Sequence, residues 1–217
     1  SGYRVQRIAR GPAGSTGWRV DDAPFDAVVL ATTSTEAARL VLTAQTAHPT
    51  LQGPEAAALQ AWARKAQALR FTAIATVYAQ TSALPQGTVL SQPMLALRPG
   101  AGKPAQFVFD RMQLGGPAGL LAFVVSASEG DRATLEREVL QQAQDQLGLQ
   151  GLRIVQTVVE KRATFACTPA LQRPPQTVAN GLCACGDYIE GPYPATLEGA
   201  VLSGTAAAGT PVAATMA

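Results

Sequence analysis

Charge is scarce in this chain. Only 15% of its 217 residues are charged, and 17 Lys and Arg against 15 Asp and Glu leave a formal net charge of +2. No long basic run is present to neutralise a row of phosphates, which argues against nucleic acid as a partner. Histidine is scarcer still, since His48 stands alone and remote from Cys167, Cys183 and Cys185. Four zinc ligands cannot readily be assembled from that set, so no metal site is expected. Cys183-Ala184-Cys185 reads instead as apolar packing on a buried strand, and a reduced, cytoplasmic setting fits. Long apolar runs are missing too. Even Ala195 to Ala208 is interrupted by Glu198, Gly199, Ser203 and Gly204, which excludes a membrane span there. The opening Ser1-Gly2-Tyr3-Arg4-Val5 has neither the basic start nor the apolar middle of a signal peptide and no initiator Met, and reads as the interior of a longer protein.

What is present is 47% hydrophobic residues, enough for one sizeable core or two smaller ones sharing an interface. Tyr3, Val5 and Ile8, a turn at Gly11-Pro12-Ala13-Gly14, and Trp18 to Val20 predict a β-hairpin. Ala27 to Ala31 is an unbroken apolar run, as expected of a strand buried on both faces of a parallel sheet. Ser34 is placed to cap a helix running to about Leu42. A second helix, begun by Pro54, extends to Leu69.

The middle of the chain is strand-rich. Phe71 to Tyr78, Thr88 to Leu97, Gln106 to Met112 and Gly119 to Ser126 are bounded by Gly or Pro clusters, as in an antiparallel sheet with short connections. Asp131 to Leu147 is the clearest helix, with Leu135, Val139, Ala143 and Leu147 along one face. Leu152 to Val159 predicts another strand, and Pro169 to Pro175 a loop. The chain closes on a short strand, Leu182 to Cys185, then Gly186-Asp187, a loop and a helix from Ala195 or Thr196. The fold class is thus mixed α/β. Residues 1–50 and 166–217 form one domain and residues 51–165 a second, interleaved one.

The closing unit carries the chemistry. A helix N-terminus offers unpaired N–H groups and a positive dipole end, which suit a carbonyl that becomes electron-rich on reduction, such as the N1 and C2 edge of a flavin. Asp187, just past a buried strand, is placed to accept hydrogen bonds from a sugar-alcohol chain, and Gly186 permits close approach. Taken separately, Gly-Asp is an ordinary turn and Pro-Ala-Thr an ordinary helix start.

Leu182-Cys183-Ala184-Cys185-Gly186-Asp187 followed by Pro194 to Gly204 resembles the C-terminal flavin-binding motif of the flavin amine oxidase and phytoene desaturase superfamily. Glu160-Lys161-Arg162-Ala163-Thr164-Phe165 with Pro169 and Arg173-Pro174, plus Phe107-Val108-Phe109-Asp110-Arg111, resembles the hydroxysqualene dehydroxylases, also described as squalene-associated FAD-dependent desaturases. The similarity runs over nearly the whole chain. It implies the C-terminal portion of a Rossmann-like FAD-binding domain, interleaved with a substrate domain built on a mostly antiparallel sheet with helices.

By that resemblance FAD is the cofactor, with Gly186 and Asp187 at the ribityl chain. The backbone around Thr196 and Leu197 would meet the pyrimidine edge, Pro194 and Ala195 lie against the ring, and Ala200 is a further cofactor-binding residue. Val5 matches the position whose backbone pairs with adenine, with Ala31 and Thr32 near the adenosine half. Tyr193 either lines the substrate side or is a packed loop tyrosine. The substrate would be an apolar isoprenoid, most directly hydroxysqualene on the route to hopanoids, and peripheral membrane contact would suit so greasy a molecule.

Tyr78 and the strands around Val77, Leu95, Phe107, Phe109, Phe123 and Val125 could wall an apolar tunnel, although alternating apolar residues are more often core. No catalytic residue is assigned, because Asp110 and Arg111 could simply pair with each other. Two departures from the superfamily matter. Phe71 to Tyr78 lacks the lysine that amine oxidases usually carry on this strand, which disfavours amine oxidation. The Gly-rich strand-turn-helix that cradles the pyrophosphate is also missing, since Gly11-Pro12-Ala13-Gly14 does not fit its spacing. A missing N-terminal segment is therefore the expected partner, and the isolated chain is expected to bind FAD weakly or not at all. A phytoene-type desaturase, a flavin amine oxidase and a folded but inactive fragment stand as alternatives.

Overall fold

The computed structural model describes residues 2–12, 17–46, 53–81 and 88–209. They form two compact units, one built from Ser1–Arg70 and Phe165–Ala217, the other from Phe71–Thr164. The first boundary lies at Arg70 instead of residue 50.

In the first unit, β1 (Ile8–Arg10), β2 (Trp18–Val20) and β3 (Ala23–Phe25) form an antiparallel sheet. The expected hairpin pairs Ile8 with Val20; of its turn at Gly11-Pro12-Ala13-Gly14, Ala13 and Gly14 lie outside the described residues. Tyr3 to Arg7 do not extend the strand. Asp21 draws them off it, accepting the Gln6 and Arg7 N–H groups at 3.0 and 2.9 Å and the Tyr3 hydroxyl at 2.6 Å.

A second sheet has the order β10 (Thr177–Ala179), β11 (Leu182–Ala184), β4 (Val28–Leu30). β11 and β4 are parallel, with Leu182 opposite Val28 and Ala184 opposite Leu30. β4 is not buried on both faces, because it is the edge of this sheet and Val29 is 46% exposed.

Helix α1 (Ser34–Thr46) follows. Its cap is Thr33 and not Ser34: the Thr33 carbonyl receives the Ala37 N–H at 2.9 Å, whereas the Ser34 hydroxyl is buried without a partner. Helix α2 (Pro54–Gln67) packs on α1 and β10, which is why it belongs to the first unit. Its Trp62 is buried and donates to the Pro175 carbonyl at 2.7 Å. Trp18, equally buried, donates to the Asn180 carbonyl at 2.9 Å and stacks under the Arg10 guanidinium. These indole bonds satisfy the polar edge of each ring while its apolar body fills the core.

The second unit is a five-stranded sheet in the order β6 (Met94–Ala96), β7 (Phe107–Asp110), β8 (Leu120–Ser126), β5 (Phe71–Gln80), β9 (Arg153–Phe165). One face, with Val77, Val108, Leu121, Phe123 and Val125, packs under Leu135, Val139 and Ala143 of α3 (Arg132–Leu147). Asp131 caps α3 by accepting the Thr134 N–H at 2.9 Å, and Gly148 ends it in the left-handed conformation.

The strand expected over Thr88 to Leu97 shrinks to β6, and Asp110 explains the loss. Its buried carboxylate accepts the N–H groups of Val89 (2.8 Å), Leu90 (3.1 Å) and Met112 (3.1 Å) and the Gln113 amide (3.2 Å). The loop before β6 is therefore wrapped round a carboxylate. Asp110 does not form the pair with Arg111 that the sequence left open. Burial alone would raise its pKa, but the Leu90 N–H, the Gln113 amide and the Val89 and Met112 N–H groups outweigh that and hold it below the usual carboxylate value.

Candidate functional site

The parallel pairing of β4 and β11 sets the geometry. Both strands leave their sheet at the same end, so Ala31-Thr32 and Cys185-Gly186-Asp187 emerge side by side, with Cys185 N–H still bonded to the Leu30 carbonyl at 3.1 Å. Carboxyl ends of adjacent parallel strands are where α/β sheets place ligands. Cys183 and Ala184 are buried as expected, whereas Cys185 is only half-buried.

Gly186 has φ 151°, and a Cβ there would stand 2.7 Å from the Tyr188 ring. Its N–H donates to the Ser203 hydroxyl at 3.2 Å, tying the strand end to the last helix, α4 (Leu197–Ala208). The intervening loop closes through Ala195 N–H to the Asp187 carbonyl at 3.3 Å. Tyr193 and Ala195, on either side of Pro194, have φ of 56° and 57°. Two left-handed non-glycine residues so close together are uncommon, and such conformations collect at binding sites.

Thr196 begins α4. Its hydroxyl donates to the Tyr193 carbonyl at 2.7 Å and accepts the Gly199 N–H at 3.0 Å, while its own carbonyl receives the Ala200 N–H at 3.1 Å. Ala200, expected among the cofactor-binding residues, thus spends its N–H inside the helix. The N–H groups of Leu197 and Glu198 have no acceptor among the described residues. Leu197 is 87% exposed, so this donor pair is open to a ligand. The Glu198 carboxylate in the same turn complements the helix dipole and disfavours a dianion beside it, so a neutral carbonyl suits the end better than a phosphate.

Asp187 is half-buried. Burial pushes its carboxyl above the usual value, opposed by the N–H groups of Asp187 and Tyr188 and by the Arg173 charge. No other side chain hydrogen-bonds its carboxylate among the described residues, which leaves acceptor capacity for a hydroxyl-bearing ligand. Tyr188, behind it, is buried with its hydroxyl unpartnered, and burial pushes its pKa well up. A glycine cradle, a partly desolvated carboxylate and two free helix-end donors fit a flavin's ribityl chain and carbonyl edge.

Val5 and Thr32 come together at a second place, a cavity of about 530 Å³ that is also lined by Tyr3, Val29, Leu30 and Glu36. Ala31 lies exposed beside it in sequence. Sequence reasoning missed Arg39 here. It donates to the Val5 and Gln6 carbonyls at 2.8 and 2.7 Å and to Glu36 at 2.8 Å, holding the segment before β1 against α1. One lone pair of the Val5 carbonyl is therefore already in use.

In the second unit, Tyr78, Phe107 and Phe109 share the face of the sheet opposite α3. The register runs Tyr78–Ala122–Phe109–Met94 across four strands, and Thr76–Val124–Phe107–Ala96 in the adjacent row. Neither row contains a charge. Val77, Phe123 and Val125 are fully packed core and cannot line a tunnel, and Leu95 packs on that same core. Tyr193, the remaining expected pocket residue, belongs to the first unit and is 56% exposed.

No curated protein matches the chain. Solved structures do resemble it. An oxidoreductase from Methanosarcina mazei is 16% identical with a TM-score of 0.59, over 95% of this chain and 48% of its own. An assigned protoporphyrinogen oxidase from Exiguobacterium sp. 255-15 is 16% identical with a TM-score of 0.56, over 93% of this chain and 44% of its own. At that identity the likeness shows the fold, and the chain spans about half the length of these structures. A family model described as flavin containing amine oxidoreductase matches residues 2–210. The chain belongs to the flavin-containing amine oxidoreductase family.

Proposed function

We propose that the complete protein is a FAD-dependent oxidoreductase acting on a long isoprenoid, most directly reducing hydroxysqualene to squalene in hopanoid synthesis. The observation that carries the substrate class is the uncharged sheet face of Tyr78, Phe107, Phe109 and Met94, of which Phe107 and Met94 are 39% and 48% exposed. Apolar area left open on that scale favours a hydrocarbon over an amine. Flavin held there in its reduced form would supply the hydride that replaces the hydroxyl, which takes up a proton and leaves as water. Within the first unit, the Leu197 and Glu198 N–H groups would hold the ring edge and Asp187 the sugar chain; within the second, the apolar sheet face would bind the hydrocarbon. Asp110 is not proposed as the acid that assists loss of the hydroxyl, because its carboxylate already accepts from the Val89, Leu90 and Met112 N–H groups and the Gln113 amide.

The strand Phe71–Gln80 carries no lysine, which supports an isoprenoid over an amine by the family resemblance. A cytoplasmic protein in peripheral contact with a membrane suits this substrate, and no helix among the described residues is long and apolar enough to cross one.

The edge of β4, which no strand among the described residues covers, supports the second part of the proposal, that a missing N-terminal segment is the chain's partner. Val28 and Leu30 direct their backbone groups at β11, through Val28 N–H to Gly181 and Cys185 N–H to Leu30. Val29 N–H and C=O therefore point the other way. An apolar parallel strand is normally flanked on both sides, so Val29 suits a further parallel strand, the one leading into a phosphate-binding turn. The reaction is tested by offering the complete protein hydroxysqualene with a reductant, phytoene with an acceptor, and amines with oxygen. Squalene from the first and no product from the others is the expected result; amine-dependent peroxide would overturn it.

A further inference from the structure

One side chain holds the loop between β11 and α4 from outside. Arg173 donates through Nη1 to the Ile189 carbonyl at 2.7 Å and through Nη2 to the Gly191 carbonyl. Next to it, Pro174 is buried, and its carbonyl accepts the Glu190 N–H at 3.0 Å. Ile189, Glu190 and Gly191 are thus bracketed by two residues of a separate loop. A planar guanidinium holds two carbonyls in a fixed fork, which an ammonium cannot do.

The bracketed stretch leads directly into the strained part of the site. Gly191 has φ 152°, and Tyr193 and Ala195 follow in the left-handed region. Such conformations persist where neighbouring structure over-determines them. Downstream, the Tyr193 carbonyl anchors the Thr196 hydroxyl that starts α4. Upstream, the Gly186 carbonyl receives the Ile189 N–H at 3.3 Å, so the same clamp fixes the turn that carries Asp187.

We infer that Arg173 is the positioning residue of the flavin-ring segment: its two-carbonyl clamp sets the Asp187 carboxylate and the Leu197 and Glu198 donors relative to one another. It touches no ligand and acts through the path of residues 189–195. The inference rests on reading residues 186–200 as the flavin-ring segment.

The test compares R173K and R173Q with wild type in the complete protein. R173K keeps the charge near Asp187 and loses the fork, and it carries the decision if R173Q fails to fold. Three results are expected in R173K. Amide exchange over residues 186–199 accelerates about tenfold or more while α1 and α2 exchange as in wild type. The FAD dissociation constant rises about tenfold. The potential of the bound flavin falls, because helix-end donors that favour the reduced ring lose their aim. Unchanged exchange over 186–199, or a folded variant with wild-type flavin affinity and potential, overturns the inference. So does acceleration spread evenly over the first unit, which makes Arg173 a general stabiliser. A wild-type protein without flavin overturns the flavin reading itself, and the exchange rates then still decide whether the clamp exists.

Discussion

A Cβ on Gly199 would overlap the carbonyl oxygen of Tyr193, and no soft side chain is there to yield. The helix that offers its N-terminus can start where it does only because residue 199 has no side chain. The Tyr193 carbonyl also serves the Thr196 hydroxyl, so any shift loosens the cap. Gly199→Ala is expected to cost about 1–3 kcal/mol of stability and to weaken flavin retention in the complete protein. Thermal unfolding and flavin content of the purified variant check both. A variant as stable as wild type that retains its flavin contradicts the reading of this turn.

Asp187 is expected to trade stability for binding. Its carboxyl is pushed above the ordinary 3.8 in the folded chain, so ionisation works against the fold. That unfavourable contribution sets in as pH rises above 3.8 and is complete above the folded value. Asp187→Asn should therefore be the more stable protein at neutral pH without ligand, and its advantage should vanish on acidification. Denaturant titrations of both proteins between acid and neutral pH measure this. A variant less stable than wild type at neutral pH would show that the carboxylate is structural.

Asp110 has the opposite sign. Its folded pKa lies below the ordinary 3.8, so its stabilisation is present in full above 3.8 and is lost as pH falls through the folded value. Asp110→Asn replaces an acceptor of four donors by a group that is itself half donor, and about 3 kcal/mol of stability should go with it. Urea unfolding at neutral pH decides this. A loss well under 1 kcal/mol would mean the wrapped loop does not depend on the carboxylate.

The two faces of the second unit's sheet should respond differently. Phe123→Ala empties a fully buried site and is expected to cost about 3–5 kcal/mol. Phe107→Ser, on the open face, should leave the unfolding midpoint nearly unchanged yet raise KM for the isoprenoid. Equal damage to stability from both would mean that the open face is core as well.

The legible parts of this protein were those fixed by local chemistry. Pro54 and Asp131 mark helix starts on sight, and the Leu135–Val139–Ala143 stripe identifies the buried face of α3. The Gly186-Asp187 turn and the Thr196 helix start could be placed from resemblance. What could not be read depends on contacts distant in sequence. Thr88 to Pro93 has the composition of a strand, yet Asp110, 20 residues on, draws Leu90 N–H out of any ladder. Val29 reads as buried because its neighbours are apolar, although burial requires a strand beside it. Arg173 and Arg39 act through carbonyls 16 and 34 residues away, and a carbonyl acceptor leaves no mark on residue identity. The left-handed turns at Tyr193 and Ala195 were equally silent, since neither is a glycine.

The central claim, that residues 186–200 hold the flavin, is tested most directly by flavin titration of the complete protein in wild-type and Asp187→Ala forms. Near one FAD per wild-type chain, with binding at least about tenfold weaker in the variant, is the predicted result. A wild-type protein that takes up no flavin, or a variant that binds it as tightly, would contradict the claim.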